Sequence, residues 1–385
     1  MDVDAPCILL GGLSPATFME RHWQKRPLLV RQAVPGACPP IARDDLFALA
    51  QREGVESRLV ALREGHWSVR HGPFARRALP PLRRSGWTLL VQGLDLHVQA
   101  AHDLLACFRF VPAARLDDLM ISYASDGGGV GPHFDSYDVF LLQVSGRRRW
   151  RIGRTRDLEL RDDVPLKILR RFQPEHDWVL EPGDILYLPP QWAHDGVAVG
   201  GDCMTCSAGF RVPWSADVAA DLLARLADTE AMPANRVYRD PAQRATATPG
   251  AVPHALQAFA VEAMRRCLAQ PGVLQRALGE SLSEPKAHVV FEAGPALPRG
   301  VGVRLDRRTR MMYDPRHVYI NGEAFVAAGT DAKVMRQLAD ALAIDAAAVA
   351  RLSAGARETL DEWARAGWLH GEPTSAPTPH RRSRP

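Results

Sequence analysis

Short apolar runs separated by turn residues dominate positions 55 to 213. Leu59 to Leu62, Trp67 to Arg70, Trp87 to Val91 and Met120 to Tyr123 each read as a strand, as do Val179 to Leu180, Gly183 to Leu188 and Cys203 to Val212. Strands this short, at turn-punctuated intervals, predict a barrel or a sandwich. Helical spacing precedes and interrupts them. Ser14-Pro15 is an N-cap followed by a first helical residue; the helix runs to about Lys25, and Pro27 ends it. Leu28 to Val30 is then extended, Asp44 to Gln51 is a short helix, and Ala100 to Arg109 places Leu104, Leu105 and Phe108 on one helical face.

The pattern changes at Pro213. Ala216 to Asp228 and Ala255 to Leu268 are helical, joined by an irregular linker containing Pro233, Pro241, Pro249 and Pro253. Such a pair buries little surface alone, so it packs either against the barrel or against a second copy. From about residue 270 the runs Val289 to Phe291 and Val301 to Val303 are candidate strands. Val318 to Ile320 and Glu323 to Phe325 flank Asn321-Gly322, a strong signal for a tight type I′ hairpin. Helices are expected at Asp331 to Leu342 and Ala356 to Ala366. Together these predict a small α+β domain, a winged helix being one arrangement of that kind. The Pro/Thr/Ser tail from Pro373 to Pro385 is expected to be disordered.

Composition narrows the picture only a little. The 385 residues are 46% hydrophobic and 24% charged, ordinary values for a globular chain with room for more than one domain. A net charge of +4 permits nucleic-acid or ribosome contact without demanding it. The six cysteines are scattered, which argues against a disulfide framework. Cys203 and Cys206 form a lone C-x-x-C and read as ordinary strand residues rather than half of a zinc site. No apolar run approaches a membrane span, and Cys7 to Leu10 is too short for the core of a signal peptide. The expected setting is a reducing cytoplasm.

The candidate chemistry lies between Gly127 and Gly153, GGGVGPHFDSYDVFLLQVSGRRRWRIG. It contains the only His-x-Asp of the chain, His133 and Asp135. On a strand the two would share a face, with Phe134 opposite. An imidazole and a carboxylate so placed are two corners of a facial metal site, and the 2-His-1-carboxylate set with open positions points to non-haem Fe(II). Among the 13 histidines the best third ligand is His194, just past a strand and the Pro189-Pro190 stop. His176 and His102 sit in polar or helical contexts, and His22 reads as a capping residue. His370-Gly-Glu372 has the same spacing but borders the tail without a flanking strand, and is rejected. Parity then selects one arginine. Arg148 alternates with Trp150 and Ile152 and points inward, whereas Arg147, Arg149 and Arg151 face solvent. An inward arginine needs an anionic partner, which a dicarboxylate cosubstrate supplies.

The segments GPHFDSYDVFLLQVSGRRRW and EPGDILYLPPQWAH resemble the JmjC-type 2-oxoglutarate oxygenases. With FMERHWQKRPLL near the start, they resemble most the bacterial ribosomal oxygenases that hydroxylate an arginine of large-subunit ribosomal protein sixteen. The resemblance implies a cupin-like double-stranded β-helix over residues 1–213, a helical dimerisation region over 214–269, a winged-helix-like domain over 270–372 and a disordered tail over 373–385. It implies that His133, Asp135 and His194 bind Fe(II), that Arg148 pairs with the distal carboxylate of 2-oxoglutarate, and that O₂ is the second cosubstrate. Hydroxylation would be coupled to formation of succinate and CO₂. Ser122, polar in an apolar strand, either helps hold the cosubstrate or bonds to backbone. Tyr137 lies near the iron or in the core. The implied partners are a ribosomal protein substrate and a second copy of the chain, with no membrane. Two alternatives stay open: the same chemistry on a histidine or another protein, and a nucleic-acid-binding regulator with a vestigial barrel. Arg304, Arg307, Arg308 and Arg310 motivate the regulator. Lys333 and Arg336 against Asp331 and Asp340 make a poor groove-reading helix, so direct nucleic-acid binding is not expected.

Overall fold

The fold is that of a computed structural model, which describes residues 2–155, 157–228 and 236–372. The expected disordered tail and Pro233 of the linker lie outside the described residues. The chain divides between Val212 and Pro213 into two compact units.

The first unit runs α1 (Pro15–Arg21), β1 (Leu28–Val30), α2 (Arg43–Leu49), β2 (Ser57–Arg63), β3 (His66–His71), β4 (Trp87–Val91), α3 (Gln99–Ala106), β5 (Leu116–Ala124), β6 (Val139–Ser145), β7 (Arg148–Arg154), β8 (His176–Leu180), β9 (Ile185–Leu188), β10 (Trp192–Ala198) and β11 (Cys203–Phe210). Ser14 caps α1, its Oγ accepting from the Thr17 amide at 3.2 Å. The helix stops short of Lys25 because Gln24 turns left-handed, with φ of 56°. There its amide donates to the buried Tyr187 hydroxyl at 2.8 Å.

An eight-stranded antiparallel sheet, β1-β9-β6-β11-β5-β4-β2-β3, faces a three-stranded sheet, β10-β7-β8. β6 is buried on both faces, and its alternation shows how the layers are filled. Phe140, Leu142 and Val144 join the core that includes Phe18, Phe47 and Tyr187. Val139 and Leu141 pack with Trp150, Ile152, Leu180 and Trp192 from the smaller sheet. A strand covered on both sides loses the apolar–polar alternation and reads as a continuous apolar run, as Val139-Phe-Leu-Leu142 does. The double-stranded β-helix is thus the observed architecture.

The second unit holds α4 (Ser215–Asp228), α5 (His254–Leu268), α6 (Val273–Ser283), β12 (Gly302–Leu305), β13 (Met311–Tyr313), β14 (His317–Ile320), β15 (Glu323–Val326), α7 (Gly329–Ala341), β16 (Ala343–Ile344), α8 (Ala346–Ala350), α9 (Ala354–Arg365) and β17 (Leu369–Glu372). The hairpin turns where expected, Asn321 and Gly322 both having positive φ. Leu338, Leu360, Trp363 and Leu369 close its core against Val303 and Ile320. Two expectations change. Val289 to Phe291 is not a strand; Phe291 packs edge-on against Trp368 and beneath Arg308. The helix α6 was not anticipated, and its Gly279 gives way to the Tyr319 ring, where an added Cβ would lie 2.2 Å from Cζ.

Candidate metal centre

The site is assembled where β5 ends and the chain crosses to the smaller sheet. Gly127 donates to Ala198 O and Ala198 donates to Gly128 O, both at 2.9 Å, which ties the glycine run to the end of β10. A Cβ on Gly129 would stand 2.6 Å from Gly196 O, so only glycine allows this approach. The crossing ends at His133, which exchanges two backbone bonds with His194: His133 N to His194 O at 3.0 Å and the reverse at 2.8 Å. This isolated bridge corrects the expectation of a strand through His-x-Asp. The two histidines face each other because their backbones pair. His194 follows β9 and the Pro189-Pro190 stop as expected, and it lies within β10, opposite Ile152 of β7.

The donor atoms converge. One ligand atom from each of His133, Asp135 and His194 lies within 4.8 Å of the others. The imidazole centroids are 4.3 Å apart, and His194 Nε2 is 3.6 Å from Asp135 Oδ2. Each ring is oriented from behind. His133 Nδ1 lies 2.9 Å from Gly131 O, and His194 Nδ1 lies 2.9 Å from Trp192 O. A carbonyl only accepts, so both Nδ1 atoms carry the proton and each Nε2 keeps its lone pair for a metal, that of His194 facing the Asp135 carboxylate. Burial pushes the His194 imidazole down to about 4, and the neighbouring His133 adds to the effect. Near neutral pH it is the uncharged species a metal requires. Two bare imidazole nitrogens and one carboxylate fit a divalent transition metal with open coordination positions.

Arg148 lies in the same cavity, of about 540 Å³, and is 3% exposed. Its Nη1 donates to Ser122 Oγ at 3.0 Å and its Nη2 to Gly196 O at 3.1 Å. The guanidinium lies over the Trp150 ring at 5.0 Å, and its Nε has no hydrogen-bond partner. Among the described residues no carboxylate comes within ion-pair distance of it. Burial lowers its pKa, yet a guanidinium stays charged. A buried cation whose hydrogen bonds go to neutral groups, with the Asp195 charge acting on it only from beyond ion-pair distance and a donor to spare, suits an incoming carboxylate. Ser122 bonds to backbone, donating to Thr205 O at 3.4 Å, and its hydroxyl also accepts from Arg148.

The remaining candidates sort by contact. Tyr137 lines the cavity while showing 39% of its surface; burial and the adjacent Asp135 push its hydroxyl pKa up. Of the other arginines of the run, Arg149 pairs with Asp177, Arg151 pairs with Asp195 and Arg147 is exposed. His22 accompanies Phe18 and sits 3.2 Å from Pro27 O, as a capping residue would. His176 is exposed on β8 and His102 lies on α3. His370 does have a strand around it, β17, contrary to the reason given for rejecting it; its Nε2 lies 3.0 Å from Asp306. Cys203 and Cys206 are buried, unpaired residues of β11.

Three features escaped the sequence reading. Trp150 joins the two halves of the site, its ring 5.0 Å from the Arg148 guanidinium and 5.8 Å from the His194 ring. Gly196 makes that stack possible, since a Cβ there would lie 2.6 Å from Trp150 Cζ3 and 2.8 Å from Arg148 Nε. Gly196→Ala is therefore expected to displace the guanidinium and raise KM for 2-oxoglutarate about tenfold, overpacking of this kind being worth ~1–3 kcal/mol. Steady-state kinetics at varied cosubstrate checks it. Asp117 and Asp118 also line the cavity. The parity that selected Arg148 would have found Asp118, which shares a face of β5 with Met120 and Ser122.

Comparison with known proteins places this geometry. Residues 103–218 match the JmjC domain family, and residues 266–370 match the ROXA-like winged helix. The chain is 38% identical to the ribosomal protein uL16 3-hydroxylase of Escherichia coli K12 over 285 residues, 73% of this chain and 74% of that protein. It is 38% identical to a probable ribosomal oxygenase of Haemophilus influenzae over 206 residues, spanning 52% of this chain and half of that one. The solved structure of E. coli YcfD superposes with a TM-score of 0.83 at 32% identity, covering 94% of this chain and 98% of that one. A structure of YcfD, a ribosomal oxygenase, in complex with cobalt and 2-oxoglutarate superposes with a TM-score of 0.80 at 31% identity, covering 94% and 99%. Likeness of that extent, reaching from the barrel through the winged helix, makes the chain a member of the JmjC-domain ribosomal oxygenases.

Proposed function

We propose that this chain is an Fe(II)- and 2-oxoglutarate-dependent hydroxylase of an arginine side chain in a large-subunit ribosomal protein, uL16 being the first candidate. The observation that carries the reading is one cavity holding three converging metal donors and a buried guanidinium that no carboxylate among the described residues pairs. His133, Asp135 and His194 would hold the iron. When bound, iron supplies the activation of O₂ that couples oxidative decarboxylation of 2-oxoglutarate, to succinate and CO₂, with hydroxylation of the substrate.

The chain's own groups do the positioning. Arg148 and Ser122 take the distal carboxylate of the cosubstrate, and Trp150 holds the guanidinium flat. Val139 and Leu141 keep that part of the cavity apolar and exclude water. The carboxylates Asp117, 3.6 Å from Arg211, and Asp118, which accepts from Gln92 and Gly93, line the same cavity, and their negative charge favours a cationic side chain over a neutral one. Incubation of the purified chain with Fe(II), 2-oxoglutarate and recombinant uL16 is expected to add one oxygen to an arginine-containing peptide and release succinate. Addition to a histidine peptide, or succinate release without any protein product, would redirect the target.

In this reading residues 1–213 are the oxygenase, 214–269 the dimerisation region and 270–372 the winged helix. Val261 and Met264, 62% and 48% exposed, lie with Leu268 along one face of α5, and Leu223 is exposed on α4. An apolar stripe of that kind suits a second copy. Light scattering is expected to return the mass of two chains, and Val261→Glu with Met264→Glu the mass of one. In the second unit Arg304 pairs with Glu372 and Arg308 with Asp306, which removes much of the basic cluster from nucleic-acid contact. No helix among the described residues is long and apolar enough to cross a membrane. The proposed place of action is the cytoplasm, where the substrate is made.

A further inference from the structure

Among the described residues the large sheet ends at β3, which pairs with β2 and with no other strand. Its hydrogen-bonding parity follows from two observations. Gly72 N donates to Ser57 O at 2.9 Å, so in the antiparallel ladder the even positions of β3 face β2. On the other side of β2, Leu62 N donates to Gly86 O at 2.9 Å, which assigns the even positions of β2 to β4 and gives the same parity. The backbone groups of Trp67, Val69 and His71 therefore point outward from the sheet. Among the described residues nothing hydrogen-bonds to them.

The side chains of these residues lie on the cavity side. Val69 and His71 line the cavity, together with their cross-strand partners Val60 and Arg58. Trp67 meets the metal-bearing crossing, its ring 3.2 Å from where a Gly131 Cβ would be. The opposite face is occupied differently: Arg70 turns away to the Phe74 ring and donates to Ala78 O. The edge that stays open is thus continuous with the wall of the site.

We infer that β3 is the docking strand for the protein substrate, an extended segment of which adds to the sheet edge and turns its target side chain into the cavity. Main-chain bonds to Trp67, Val69 and His71 would provide the affinity, and the ~4.8 Å spacing between strands would set every second substrate side chain over the cavity face. Such docking is indifferent to most side chains, so choice of residue is left to the cavity itself. The inference rests on the function proposed above.

The test uses the full chain with Fe(II) and 2-oxoglutarate under anaerobic conditions, plus whichever ribosomal protein the wild-type chain hydroxylates in air. Hydrogen exchange is expected to slow at residues 66–72 on addition of that protein. Slowing with rising enzyme concentration alone would assign the edge to a second copy and overturn the inference. Val69→Pro removes one outward N–H without touching the ladder, a position where an edge strand tolerates proline. It is expected to raise KM for the protein at least tenfold, with an unchanged melting temperature, whereas Val69→Ala, which keeps the N–H, changes KM less than threefold. Equal KM for the two variants, or hydroxylation without protection of 66–72, overturns the inference and leaves the proposed activity standing. If the wild-type chain hydroxylates no ribosomal protein, the proposed function fails and the inference fails with it.

Discussion

Asp135→Ala is expected to abolish hydroxylation while the chain remains folded. Asp135 is the one anionic member of the ligand set. Without it two neutral imidazoles face the cation, and a divalent metal held by two nitrogens alone binds weakly. The contribution of a bound metal to such chemistry amounts to several kcal/mol, so kcat/KM should fall about a thousandfold or more. Folding should survive, because the side chain sits at the cavity wall with 21% exposure and supports no core packing. Titration with Mn(II), followed by electron paramagnetic resonance, separates the cause from a general loss of activity. Wild-type chain should quench the free-ion signal at a site that the variant lacks. Retained hydroxylation, or unchanged Mn(II) binding, would remove Asp135 from the metal centre.

Arg148→Met has the second large effect, with a signature in two opposite directions. The guanidinium is buried against neutral partners, an unfavourable state without cosubstrate. Methionine fills a similar volume over Trp150 without a charge to desolvate, so the cosubstrate-free variant should melt at or above the wild-type temperature. KM for 2-oxoglutarate should rise about a hundredfold or more, since truncating one partner of a buried charge-assisted pair is worth ~2–5 kcal/mol. The extra thermal stability that 2-oxoglutarate gives to the metal-loaded wild type should disappear. A variant that melts lower and keeps its KM would make Arg148 a structural residue. Arg148→Lys tests the planar fork, and should recover little, because an ammonium cannot present two parallel donors.

Parity carried the sequence reading furthest where strands were buried on alternate faces. It separated Arg148 from Arg147, Arg149 and Arg151 because Trp150 and Ile152 mark the inward positions, and the structure buries those three residues together. It failed at His133, because the backbone there follows a glycine-rich crossing and a single bridge rather than a ladder. The side chains of His133 and Asp135 still converge, but through pairing with His194 rather than through strand alternation. That pairing joins residues far apart in sequence, which no local pattern encodes. Trp150 was legible as an inward residue but not as a bridge between Arg148 and His194, and Gly196 was invisible, for a related reason: both roles exist only once β7 and β10 lie side by side. Helix α6 runs unbroken through Gly279, a residue that weakens the helical signal in the sequence and that answers to Tyr319 of the later hairpin. Asp118 was legible by the same parity and passed over, since the strand was read from Met120, whereas it begins at Leu116.

The proposed activity requires a protein substrate in the ribosome. The direct measurement is intact-protein and peptide mass spectrometry of large-subunit ribosomal proteins from cells with the gene, without it, and with the Asp135→Ala form restored. One extra oxygen is expected on an arginine-containing peptide, uL16 first, present only with the wild-type gene. Identical ribosomal protein masses in all three strains would contradict it.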